Sequence, residues 1–177
     1  MGEEKKELHV LYKERIANVS ITAAAVRGQP KNTLRIIRDF AKDIGLEKFK
    51  NLKCEKDFKK ALDKETTALV KLMHNFGFAR KCLNIFFLEI CHNTIVSKKY
   101  GLRSLISYLE VPLDNPNEKI LRLEARKRGK LNWNWTCIKD LDPDNNEKIQ
   151  EFARTFMKEK EQRPRVYFDL RNWRRNS

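Results

Sequence analysis

Two residues in this chain have the type and setting for covalent chemistry on a sugar: Lys81 and Asp114. Lys81 closes the stretch Gly77-Phe78-Ala79-Arg80-Lys81, part of a short turn from His74 to Lys81 between two helical patterns. A tight turn of this kind leaves backbone N–H groups unpaired where the second helix starts. Those groups and the helix dipole attract a phosphate. Gly77 and Arg80 are the candidates for that grip. A lysine just inside such a helix lies beside the gripped backbone. When desolvated it stays neutral and acts as a nucleophile. Asp114 ends the run Val111-Pro112-Leu113-Asp114 and opens a later helix. One carboxylate there can orient the lysine or stabilise cationic charge on a sugar. Each residue also has a plainer reading. Lys81 would be a solvated surface lysine, Asp114 a helix cap, and Gly77 a C-cap.

The elements that must position these residues read as helices. Leu8, Leu11, Tyr12, Ile16 and Val19 share one face of a helix from about Glu3 to Val26, which Arg27-Gly28-Gln29-Pro30 breaks. A second helix runs from Lys31 to Ile44, with Gly45 as its C-cap. Asp57 to Leu62 and Lys64 to His74 are further helical stretches. The helix holding Cys82, Leu83, Ile85, Phe86, Phe87, Leu88, Ile90 and Cys91 is apolar on nearly all sides, the pattern of a buried central helix. Leu102 to Leu109 reads as a short helix. Asn115, Pro116 and Glu118 have the order of an N-cap, an N1 proline and a capping-box acid. Another helix covers Glu147 to Glu161. Only Arg165 to Leu170 has strand-like composition. The expectation is an all-α, compact single domain over residues 1–177, with a helix-hairpin-helix-like element and room for one short C-terminal strand.

Charge names the class of partner. The chain carries 38 Lys+Arg against 24 Asp+Glu, a net charge of +14. An excess of that size points to a polyanion, nucleic acid before an anionic membrane surface. The rival explanation is a lysine-rich soluble protein whose charge is incidental. Basic and aromatic residues interleave from Arg126, Arg128 and Lys130 into Trp133 and Trp135, and again over Arg163, Arg165, Trp173, Arg174 and Arg175. Cations hold phosphates and aromatic faces stack unpaired bases, the pairing a base-flipping enzyme needs. Core packing of the tryptophans is the alternative. Gln29, in an interhelical loop, has the position and chemistry of a wedge for the gap a flipped base leaves. No apolar run is long enough to span a bilayer and no signal segment is visible, so an intracellular protein without membrane attachment is expected. The 4 cysteines and 3 histidines lack zinc or iron–sulfur spacing, so no metal and no small-molecule cofactor is expected.

The order of these motifs resembles the helix-hairpin-helix DNA glycosylases of the endonuclease III superfamily over roughly residues 64 to 125. The family hairpin ends in a Gly-x-Gly-Arg/x-Lys pattern, matched here by Gly77-Phe78-Ala79-Arg80-Lys81 and followed by Asn84 on the same helix. Its second signature is a Val/Leu-Asp turn opening a helix, matched by Val111-Pro112-Leu113-Asp114. The Lys-to-Asp separation is most similar to that of the archaeal 8-oxoguanine glycosylase branch. The resemblance implies a base-excision DNA glycosylase/AP lyase acting on a damaged purine, with Lys81 as Schiff-base nucleophile and Asp114 as assisting carboxylate. It also implies DNA rather than RNA as partner. Three positions depart from the family pattern: Ala79 replaces the second hairpin glycine, Phe76 stands where proline is usual, and Asn115-Pro116 replaces a polar pair. A non-catalytic nucleic-acid-binding module and a helical protein-interaction domain remain the alternative readings of the residues.

Overall fold

Where apolar residues recur every three to four positions the chain forms helices, and the polar punctuation between them sets the turns. A computed structural model describes residues 7–135 and 137–172. Of these, 73% are helical and none is in a strand, so the fold is all-α. The eight α-helices are α1 (Leu8–Ser20), α2 (Thr33–Asp43), α3 (Glu55–Met73), α4 (Phe76–His92), α5 (Thr94–Tyr100), α6 (Asn115–Lys127), α7 (Pro143–Glu161) and α8 (Tyr167–Asn172).

Several boundaries differ from the sequence reading. The first helix stops at Ser20 and gives way to a 3-10 turn, Ala23–Val26. The two stretches 57–62 and 64–74 are one helix, α3. The helix expected over 102–109 is a 3-10 turn, Arg103–Ser107. The strand-like stretch Arg165–Leu170 is instead where α8 begins. Its Val166 and Phe168 are buried, and a helix of 6 residues is too short to display a helical period.

Helix α4 is the centre. Gly77, Phe78, Ala79, Cys82, Leu83, Phe86, Phe87, Ile90 and Cys91 are all buried along it, and α1, α2, α3 and α5 pack around it. Two apolar clusters result. The first joins α1 to α5 around Phe49, Phe58, Phe86 and Phe87, with Phe49 and Phe87 ring centroids 4.5 Å apart. The second joins α6, α7 and α8 around Trp133, Trp135, Phe152, Phe156 and Phe168. Tyr167 packs against both. The extended segment from Leu109 to Asp114 passes from the first cluster to the second.

A buried ion cluster supports that crossing. Arg80, 1% exposed, donates from Nε and Nη2 to the two oxygens of Glu110, each at 2.7 Å. Its Nη1 donates to Asp63 at 2.7 Å and to Thr66 at 2.9 Å. Asn84 and Asn146 also donate to Glu110. Burial alone would push the Glu110 carboxyl up. The Arg80 charge and hydrogen bonds, with Arg165 and Asn84, outweigh it and hold the carboxyl at about 2.

Candidate active-site cleft

The α3–α4 connection is only two residues. His74 caps α3 in the left-handed conformation at φ 57°, and Asn75 caps α4 by accepting from the Phe78 N–H at 3.0 Å. So short a hairpin fixes the direction of α4 and starts its helical phase at Phe76. That phase puts Phe78, Cys82 and Phe86 into the core and turns Lys81, Ile85 and Leu88 toward a cleft. The second half of the site depends on α6. Asp114 is its N-cap, with Oδ1 accepting from the Asn117 N–H at 2.9 Å. The cap is thus one residue earlier than the expected Asn115. Asn115 and Pro116 fall in the first turn, and Glu118 turns to Arg122 at 2.5 Å.

These two helix starts meet. Lys81 Nζ lies 4.0 Å from Asp114 Oδ2, with the lysine side chain 12% exposed and the aspartate 31%. They share a cleft of about 550 Å³. The end of α1 and the following turn supply Ser20, Thr22, Ala24 and Ala25 to its wall. Helix α4 supplies Lys81, Ile85, Leu88 and Glu89, the extended segment supplies Pro112, and α8 supplies Asp169 and Leu170. Neither Asp169 nor Asn117, which donates to Asp169 Oδ1 at 2.6 Å, is a residue the sequence reading picked out. Burial pushes the Asp169 carboxyl up. Asn117's hydrogen bond opposes that, the nearby Asp114 charge adds to it, and Lys81 opposes it. The cleft therefore holds one ammonium among three carboxylates, within a chain of net charge +14.

No protein-family model, curated protein or solved structure matches the chain.

Five of the expected nucleic-acid contacts are corrected by their surroundings. Arg80 is spent inside the ion cluster and presents no donor to a phosphate. Gly77 is buried inside α4 against the 3-10 turn Ile138–Asp140: a Cβ there would sit 1.9 Å from the Ile138 carbonyl oxygen. Asn75 Nδ2 also donates to Lys139 O at 2.9 Å, so this turn covers the hairpin where a phosphate would have entered. Trp133 and Trp135 are 4% and 2% exposed. Their indole N–H groups donate to Glu118 Oε1 and to Cys137 O, which leaves no ring face for a base. Arg165 points inward to the Leu109 and Tyr108 carbonyls.

The remaining expected contacts are on the surface. Arg126 is exposed at the far end of α6 from Asp114, twelve residues or about 18 Å along the axis, and Lys130 is exposed just past that end. Arg128 pairs with Glu159 at 2.5 Å and lies 4.8 Å over the Phe156 ring. Gln29 is half-buried in the loop after the Ala23–Val26 turn. Trp173, Arg174 and Arg175 lie outside the described residues. A second groove, about 520 Å³ between Gly129–Asn132 and α7, is lined by Lys130 and Lys148 with Glu147 and Glu151, beside Leu131 and Phe152. Among the described residues no helix is long and apolar enough to cross a membrane, and no three His, Cys, Asp or Glu side chains gather as a metal site.

Proposed function

We propose that this chain is a DNA glycosylase/AP lyase that excises a damaged purine and cuts the strand through a Lys81 Schiff base. The observation that carries the reading is the Lys81–Asp114 pair, 4.0 Å apart at the wall of a nucleoside-sized cleft. Both groups reach one sugar only if they lie this close. In the proposed reaction the Lys81 ammonium first gives a proton to a cleft carboxylate, and the neutral amine then adds to C1′. The C1′–N bond breaks with its electron pair leaving on the base, which takes up a proton. Loss of a proton from the amine and opening of the sugar ring give the imine. Removal of a C2′ proton then expels the 3′ phosphate.

The charge of the cleft fits this chemistry. Carboxylates of Asp114, Asp169 and Glu89 disfavour a phosphate in the pocket and favour a sugar that becomes cationic as its base departs. The phosphates would stay on the basic outer surface. Arg126 is about 18 Å along the α6 axis from Asp114, near five nucleotide steps along one strand, and Lys130 follows the end of that helix. Their expected role is to hold the flanking duplex rather than the flipped nucleotide.

The test is borohydride trapping on duplex DNA carrying an abasic site or an 8-oxoguanine. A covalent adduct that disappears in Lys81→Ala, with DNA binding kept, supports the reading. Salt-sensitive binding with no adduct overturns it and leaves a binding module.

A further inference from the structure

Two carboxylates from distant parts of the chain face Lys81, and something must hold them in register. The Asp114 carboxylate arrives on the N-terminus of α6 and the Asp169 carboxylate on α8. Between them sits Asn117, 3% exposed, with its backbone N–H and its side-chain amide committed to three partners. Its backbone N–H donates to Asp114 Oδ1 at 2.9 Å. Its side-chain Nδ2 donates to the Pro112 carbonyl at 3.1 Å and to Asp169 Oδ1 at 2.6 Å.

We propose that Asn117 is a positioning residue that sets the spacing of Asp114, Asp169 and Lys81 in the cleft; the inference rests on the glycosylase/lyase reading for its catalytic meaning. Because Asp114 Oδ1 is held by the cap, Oδ2 is the oxygen turned to Lys81. Because Asn117 also grips Pro112, the extended segment cannot rotate the cap away without breaking a buried bond. Because it grips Asp169, α8 is drawn onto the same wall. A buried amide donor is the chemistry the position requires. Leucine would leave the Pro112 carbonyl and the Asp169 oxygen without a partner, and aspartate would add a further carboxylate and no donor at neutral pH.

The charged groups facing Asp169 are Lys81 and Glu89 from α4, Asp114 from the start of α6, and no group from the Ala23–Val26 turn. Removing the Asn117 amide therefore removes a donor to Asp169 while its burial and the Asp114 charge remain. The experiment combines two measurements on the neutral variants Asn117→Ala and Asn117→Ser in the full chain. One is the carboxyl titration of Asp169 followed by NMR in the free protein. The other is the single-turnover rate of borohydride-trappable adduct on abasic DNA as a function of pH.

The expected result is an Asp169 titration moved to higher pH in both variants. The adduct rate at saturating DNA falls on the order of 10–100-fold, as for reacting groups displaced by about 1 Å, with affinity for the abasic DNA nearly unchanged. A merely structural asparagine would lower thermal stability and leave the titration of the folded protein where it was; that result overturns the proposal. Should Asn117→Ala fail to fold, Asn117→Ser, which stays neutral and cannot supply both amide donors, carries the same test. A moved titration in a protein that forms no adduct even as wild type supports the clamp and rejects the glycosylase/lyase reading. An adduct in wild type with an unmoved titration and rate in the variants rejects the clamp and keeps that reading.

Discussion

A methyl group added at Gly77 would lie 1.9 Å from the carbonyl oxygen of Ile138 and 3.0 Å from its carbonyl carbon. Backbone cannot yield as a side chain can, so Gly77→Ala must push α4 away from the Ile138–Asp140 turn. We expect a loss of about 1–3 kcal/mol in urea denaturation, the usual cost of overpacking. A phosphate-binding glycine would instead lose DNA affinity at unchanged stability. The sequence presented Gly77 as hairpin chemistry because the glycine spacing is local, whereas the atom that excludes a side chain comes from residue 138. The same limit applies to Arg80, whose partners Asp63 and Glu110 lie on other segments. At this scale Lys81 and Asp114 were legible, since both are marked by the turns beside them. Asn117 and Asp169 were not, because neither has a motif and their contact joins α6 to α8. Cysteine chemistry gives a separate check. Burial pushes the Cys82 and Cys91 thiols up to about 12, while Cys54 is exposed. With a thiol-labelling reagent at pH 8, Cys54 should react first and Cys82 and Cys91 only as the protein unfolds.

Among the elements, α6 carries two duties at one residue, because Asp114 both caps the helix and faces Lys81. The duties separate by substitution. Asparagine caps about as well as aspartate, so Asp114→Asn should change stability by only a few tenths of a kcal/mol. Asp114→Ala should cost about 1 kcal/mol. Under the catalytic reading both abolish most adduct formation; as a cap alone, Asp114→Asn would leave the chemistry of the cleft untouched. The caps also explain boundaries the sequence reading misplaced. The helix expected from Glu147 starts four residues earlier, because Asp142 accepts from Asn145 N at 2.8 Å and opens α7 before Pro143. At α6 two candidate caps stood side by side, and the choice fell to Asp114 because Asn115 Oδ1 is used elsewhere, accepting from the Ile138 N–H at 3.3 Å. Helix α8 was hidden for a different reason. Val166, Tyr167 and Phe168 are the residue types of a strand, and only their contacts with both apolar clusters make a helix the better burial.

Across the whole molecule, the crossing between the two clusters is stabilised by charge. The Arg80–Glu110 pair is almost fully buried, so removing one partner strands the other. Glu110→Ala should cost about 3–5 kcal/mol in equilibrium unfolding. Its pH signature follows from the carboxyl held at about 2 against its ordinary 4.5. A depressed acid contributes stability that is fully present above 4.5 and is lost as pH falls through 4.5 toward 2. A denaturation midpoint measured from pH 6 to pH 2 should therefore fall over that window, and fall less in Glu110→Gln. The all-α class was legible because helical periodicity is repeated along the chain, while the division into two clusters depends on contacts between distant segments.

The cleft takes its walls from Ser20, Lys81, Asp114 and Asp169. A ribosome delivers these residues in that order, so a growing chain exposes the amine long before it owns the α8 wall. Under the glycosylase/lyase reading this order is a form of safe handling: no half-made chain holds the complete reactive pocket. A fragment clipped between α7 and α8 would keep Lys81 and Asp114 yet lose one wall of that pocket, so on the proposed reading the onset of adduct formation during refolding should coincide with docking of α8 and not with formation of the first helices.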